Sequence, residues 1–146
     1  MIRHATTGDL DGIFDLLKKY DFNVMSPSEM FSGIPFVAIE DGKVVGFLWC
    51  MVSCRVGFCN ILVVDEDYRR KTEHGRSEIG VELGIEVMKE MHVRGVTKFV
   101  TVVGDRPWRD SLLRLYRDYL GMEEFPCTVG LTGEPFKVLK KLEALK

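Results

Sequence analysis

The chain reads as an α+β protein with a mixed, mostly antiparallel sheet, and three observations carry that reading. Its 146 residues, 46% hydrophobic and 29% charged, suit a single domain over residues 1–146 with a substantial core. Apolar runs of strand length are interleaved with longer segments of helical periodicity. Asp41-Gly42 between two apolar runs is a two-residue hairpin signal, whereas a helix-length segment separates the runs at 56–64 and 98–103 and calls for a crossover.

The elements follow in order. Ile2–Ala5 is a short first strand. Thr6-x-x-Asp9 is a capping-box variant with Thr6 or Thr7 as N-cap, and Leu10, Ile13, Phe14, Leu17 and Tyr20 make Asp9–Tyr20 an amphipathic helix. Ser26-Pro27-Ser28-Glu29 opens a short second helix, with Pro27 in the first turn. Pro35–Glu40, Lys43–Cys54 and Val56–Val64 form a meander with short loops. Glu78–Val93 carries apolar Ile79, Leu83, Val87, Met88 and Met91 at helical spacing, and Gly95 caps it. Lys98–Val103 is a buried strand. Gly104-Asp105-Arg106-Pro107 opens a further helix that ends at Gly121. Glu124–Leu131 and Phe136–Leu142 are two closing strands, for about seven in all, flanked by helices, with one β-α-β crossover from the fourth strand to the fifth.

Charge and cysteine usage narrow the function. A net charge of −2 and a pI near 5.9 give no support for a nucleic-acid partner. Basic residues gather locally, at 69–71 and 76 and again at 106–117. The N-terminus has no long apolar core and no apolar run approaches the length of a membrane span, so the expected location is cytoplasmic, without a membrane partner. Cys50, Cys54, Cys59 and Cys127 include no C-x-x-C pair, and His4, His74 and His92 are scattered, so free thiols are expected and no metal site. Strand alternation places Cys50 and Cys54 on one face.

The segment Leu62–Gly80 holds the strongest signal. An apolar strand ends in Tyr68-Arg69-Arg70-Lys71, and after a polar turn Arg76-Ser77-Glu78-Ile79-Gly80 begins a helix. A helix N-terminus offers unpaired N–H groups and the positive end of its dipole, and nearby cations add attraction for a phosphate-bearing ligand. Further on, Leu115-Tyr116-Arg117-Asp118-Tyr119-Leu120-Gly121-Met122 places a phenol near a helix end.

Together these segments resemble the GCN5-related N-acetyltransferase (GNAT) family. The resemblance extends over nearly the whole chain, including the opening Ile2-Arg3-x-Ala5 and the hairpin Phe36–Phe47, and it implies a three-layer arrangement. It implies acetyl-CoA as acyl donor, an amine-bearing small molecule or peptide as acceptor, direct attack of the amine on the thioester, and a possible homodimer. By the resemblance, Leu62, Val63 and Val64 pair with pantetheine, and Arg69, Arg70, Lys71, Gly75, Arg76, Ser77, Ile79 and Gly80 surround the pyrophosphate. Tyr116 protonates the leaving thiolate, a role that suits a phenol of ordinary pKa about 10.

The sequence departs from the family pattern in four places. Thr72-Glu73-His74-Gly75 is inserted after the basic run, so the last glycine of the phosphate loop is either Gly80 or part of Gly75-Arg76-Ser77. Glu78 stands where a glycine is usual, and Met122 where a phenylalanine is usual. The fourth strand contains no acid; Asn60 can orient a water but cannot take a proton, and Glu40 and His74 are positional alternatives only, so the general base is unassigned. A catalytically inactive module with weak or no CoA binding is the competing reading.

Overall fold

A computed structural model describes residues 1–69, 77–101, 109–119 and 121–123. The chain divides into two compact units, Met1–Val102 and Val103–Lys146.

The first unit is a five-stranded sheet in the order β1 (Ile2–His4), β2 (Ile34–Glu40), β3 (Lys43–Ser53), β4 (Val56–Val64), β5 (Lys98–Thr101). Neighbours are antiparallel except β4 and β5, which run parallel. That parallel pair is the expected crossover, made by α3 (Glu78–Val93). The two closing strands expected at Glu124–Leu131 and Phe136–Leu142 lie outside the described residues, as does the end of the strand expected to reach Val103.

A turn of 3-10 helix, Thr7–Asp9, leads into α1 (Leu10–Lys19). The Asp9 carboxylate accepts from the Thr6 N–H at 2.7 Å and the Thr6 hydroxyl at 2.8 Å, and the Arg3 guanidinium grips it through two further bonds of 2.7 and 2.8 Å. Arg3 therefore ties β1 to the start of the helix. α2 (Pro27–Ser32) is capped by the Ser26 hydroxyl, which accepts the Glu29 N–H at 3.2 Å. Gly33 ends it against β3: a Cβ there would lie 2.5 Å from the Cys50 carbonyl oxygen, so only glycine lets the chain pass. The Trp49 indole N–H donates to the Met30 carbonyl at 2.9 Å and fixes the other side of the same contact.

Asp41 and Gly42 both take positive φ, the backbone of a type I′ hairpin. Cys54 and Arg55 do likewise between β3 and β4, so Cys54 lies in the turn. The expectation that Cys50 and Cys54 share a strand face is thereby corrected: the two-residue turn takes Cys54 out of the strand, and the residue opposite Cys50 is Cys59.

Both faces of the sheet are covered. α1 and α2 bury Ile13, Leu16, Leu17 and Met30 against Val37, Phe47, Trp49, Ile61 and Val63. α3 buries Ile79, Leu83, Val87 and Met91, spaced four apart, against Phe36, Val45, Leu48, Cys59 and Val64. Burial of one such aliphatic side chain contributes roughly 1.5–3 kcal/mol, so these two apolar stripes account for the placement of the helices. Gly46 lets α3 approach, since a Cβ there would meet Ile79 and Leu83 at 3.0 and 3.1 Å.

In the second unit, α4 (Arg109–Arg114) continues into a π-helical turn over Leu115–Tyr119. Gly121, with φ +62°, ends it, and the Met122 N–H donates to the Tyr116 carbonyl at 2.8 Å. One continuous α-helix was the expectation; the wider turn at Leu115–Tyr119 is the difference.

Candidate acyl-CoA site

The site is built on the C-terminal half of β4. Trp49 faces Ile61 while Cys50 faces Cys59, so Asn60 is an unopposed bulge residue, and it is exposed. β5 pairs with β4 only from Val56 to Cys59. Among the described residues, no strand pairs with that edge of β4 from Asn60 onward.

Backbone alternation shows which groups this edge presents. The Asp65 N–H donates to the Val45 carbonyl at 2.8 Å, so Asp65 faces β3. In an antiparallel ladder the N–H and C=O of Val64, and those of Leu62 two residues back, then point the other way, toward the open edge. Leu62 is half-buried on the α3 side, whereas Val63 is buried on the α1 side.

β4 leads to the N-terminus of α3. A Cβ on Gly80 would lie 3.7 Å from Val64, so the first turn of the helix sits beside the end of the strand. Ser77 is the N-cap, its hydroxyl accepting the Gly80 N–H at 3.2 Å. Helix geometry leaves the N–H groups of Glu78 and Ile79 without intrahelical acceptors. The Ile79 side chain is a core residue, so only its backbone can serve a ligand. Glu78 is exposed in this first turn and adds negative charge there.

Between strand and helix, Asp65 caps a short 3-10 turn, Glu66–Tyr68, accepting the Asp67 N–H at 3.2 Å. The sequence gives no local signal for what holds this turn. Lys19 and Tyr20, at the end of α1, reach across 46 positions: Lys19 Nζ lies 2.9 Å from Asp65 Oδ1, the Tyr20 hydroxyl donates to Asp65 at 3.3 Å, and it accepts the Glu66 N–H at 2.7 Å. Burial raises the Asp65 pKa, but the Lys19, Asp67 and Tyr20 bonds outweigh it and leave the carboxyl below its ordinary value. Helical periodicity marks Tyr20 only as an apolar-face residue of α1.

Arg69 follows the turn. Its Nε donates to the Val64 carbonyl at 2.9 Å, and its guanidinium lies over the Tyr20 ring at 5.6 Å. Arg70, Lys71, Gly75 and Arg76 lie outside the described residues. Tyr116 is half-buried in the second unit. Among the described residues, no group of three or more His, Cys, Asp or Glu could hold a metal ion, and no helix is long and apolar enough to cross a membrane.

The five-stranded sheet, with its parallel β4–β5 crossover and its bulged fourth strand leading to a helix N-terminus, has the GCN5-related N-acetyltransferase fold, which solved structures share. The aminoglycoside N-acetyltransferase AAC(6')-Iy, solved with CoA, matches with a TM-score of 0.70 at 16% identity, over 92% of this chain and 99% of that one. The ribosomal-protein-S18-alanine N-acetyltransferase of Escherichia coli matches with a TM-score of 0.68 at 20% identity, over 86% and 79% of the two chains. A transcriptional regulator from Bacillus halodurans matches with a TM-score of 0.63 at 19% identity, over 92% and 98%. At these identities the likeness is one of fold. No family model matches the chain, and no curated protein matches it in sequence.

Proposed function

We propose that residues 1–146 form one acyl-CoA-dependent N-acyltransferase domain that transfers an acetyl group from acetyl-CoA to a primary amine. The observation that carries the reading is the edge of β4, which no described strand pairs with and which runs from the Asn60 bulge past Leu62 and Val64 to the N-terminus of α3. An amide-bearing pantetheine arm can add to such an edge as a strand would, with its diphosphate at the helix N-terminus. Arg69, Arg70, Lys71 and Arg76 supply positive charge, and Gly75, Ser77, Ile79 and Gly80 supply backbone.

In the reaction, the amine nitrogen attacks the thioester carbonyl and the C–S bond breaks. Backbone N–H groups at the bulge polarise the carbonyl oxygen as its charge develops. By the family resemblance, Tyr116 gives its proton to the departing thiolate. The proton lost by the amine passes to water, with no dedicated base assigned.

Calorimetric titration with acetyl-CoA, CoA and 3′,5′-ADP tests the reading. Micromolar binding that weakens when Arg69, Arg70 and Arg76 are replaced supports it and opens an amine screen with Tyr116→Phe as control. No binding at millimolar acetyl-CoA overturns it.

Two observations favour a second reading, a non-catalytic module. Arg69 holds the Val64 carbonyl that a pantetheine arm would meet, and Glu78 places a carboxylate at the helix end where a diphosphate would lie. The fold does not decide between these readings, since one fold hosts many functions. Weak acetyl-CoA binding with no turnover on any amine favours the second.

A further inference from the structure

The β4 bulge does more than turn Asn60 outward. Without the extra residue, Asn60 would stand opposite Cys50; with it, Cys59 does. The two cysteines are 0% and 8% exposed and share the α3 face with Leu48, Val87 and Met91. Both are free thiols.

Directly opposed residues of an antiparallel pair have Cα atoms about 4.5–5.5 Å apart, within the span of roughly 4.4–6.8 Å that a disulfide bridges. The two side chains lie on the same face of neighbouring strands, in the core beneath α3. The neighbouring Cys50 thiol and the Thr101 hydroxyl pull the Cys59 pKa down against burial, while the neighbouring Cys59 thiol and burial push the Cys50 pKa up. Cys59 is thus the better nucleophile and Cys50 the neutral partner. Thr101, the last described residue of β5, also donates to the Cys59 carbonyl at 3.3 Å.

We propose that Cys50 and Cys59 form a cross-strand dithiol that hydrogen peroxide oxidises reversibly to a disulfide. The Cys59 thiolate attacks one peroxide oxygen, the O–O bond breaks, and water leaves after protonation, giving a sulfenic acid. The Cys50 sulfur then attacks the Cys59 sulfur, its proton goes to the departing hydroxide, and a second water leaves. Two thiols and one peroxide give one disulfide and two waters. The link spans β3 and β4 beside Asn60. Cys54, exposed on the turn of the same hairpin, is the internal comparison.

The test treats the reduced full chain with hydrogen peroxide, denatures it without reductant, alkylates the remaining thiols and maps the peptides by mass. The expected result is loss of two hydrogens, protection of two of the four cysteines from alkylation, and a Cys50–Cys59 linked peptide that dithiothreitol removes. Cys54→Ser leaves this product unchanged, while Cys50→Ser and Cys59→Ser each abolish it. Cys50 and Cys59 that both stay alkylatable while Cys54 is oxidised overturn the proposal, as does a linked peptide containing Cys54 or Cys127. The map of the unaltered chain decides the matter alone if a serine variant fails to fold.

Discussion

The Nε of Arg69 lies 2.9 Å from the carbonyl oxygen of Val64. Among the described residues, a cation proposed to serve the diphosphate therefore also caps a carbonyl on the edge of β4. The side chain is exposed, so its remaining guanidinium N–H groups can meet an anion. Arg69→Gln is expected to weaken CoA binding about tenfold, the loss of one charge-assisted contact, while pantetheine without the diphosphate binds no more weakly, because the Val64 carbonyl is freed. Calorimetry on both ligands checks this. An equal change for the two would mean that Arg69 serves only Val64 and Tyr20.

Gly80 and Gly84 lie one turn apart in α3 and separate packing from ligand approach. A Cβ at Gly84 meets no atom of the described residues within 4 Å, and one at Gly80 makes ordinary contacts of 3.4–3.7 Å with Ser77 and Val64. Gly84→Ala is expected to stabilise the protein by about 0.5–1 kcal/mol through helix propensity, with CoA affinity unchanged. Gly80→Ala is expected to fold as well as the parent but bind CoA several-fold more weakly. Thermal melts with paired titrations show whether the two effects separate.

Gly33→Ala is expected to destabilise the first unit by about 2–3 kcal/mol. The new methyl would meet the Cys50 carbonyl at 2.5 Å and the Trp49 indole nitrogen at 2.7 Å, neither the end of a flexible chain. Urea unfolding followed by tryptophan fluorescence measures the loss. A midpoint within error of the parent would show that α2 can shift away from β3.

The Arg3 bonds are the largest influence on Asp9, and with Thr6 they hold its carboxyl well below the usual carboxylate range despite its burial. A lowered folded pKa stabilises the fold above the unfolded value, about 3.9, and that contribution fades as pH falls through it toward the lower folded value. Asp9→Asn is expected to cost about 1–2 kcal/mol near pH 6, from the cap and the charge-assisted bonds. The gap to the parent should narrow toward about pH 3. Urea midpoints of both proteins across that range test the sign; a gap that widens on acidification refutes it.

Tyr116→Phe is expected to lower kcat about 100-fold on any amine the protein accepts, with acetyl-CoA affinity within about twofold, since a proton donor acts on the leaving group and not on binding. Steady-state rates with a calorimetric Kd check the split. An unchanged kcat would leave Tyr116 as a packing residue of the π turn.

Local chemistry made much of the first unit legible. Hydrophobic spacing set Val56–Val64 and Glu78–Val93 to the residue. Ser26 and Pro27 announced α2, and Asp41-Gly42 announced its hairpin, because caps and turns depend on backbone geometry within a few residues. The strand end at Val64 and the helix start at Glu78 were legible for the same reason. Cys54 was placed on the strand face of Cys50, and so misplaced, because a turn of two non-glycine residues, Cys54 and Arg55, carries little sequence signal.

The sequence by itself determined the strands and helices of the first unit, the crossover and the place of the α3 helix start, each written in neighbours a few residues apart. Only the tertiary structure decided that β4 bulges at Asn60, that Arg69 caps Val64, that Lys19 and Tyr20 clamp Asp65, and that Cys50 meets Cys59. Those relations depend on where a bulge shifts the register and on contacts between residues far apart in the chain, whereas hydrophobic alternation and turn length fix only the regular part of a register.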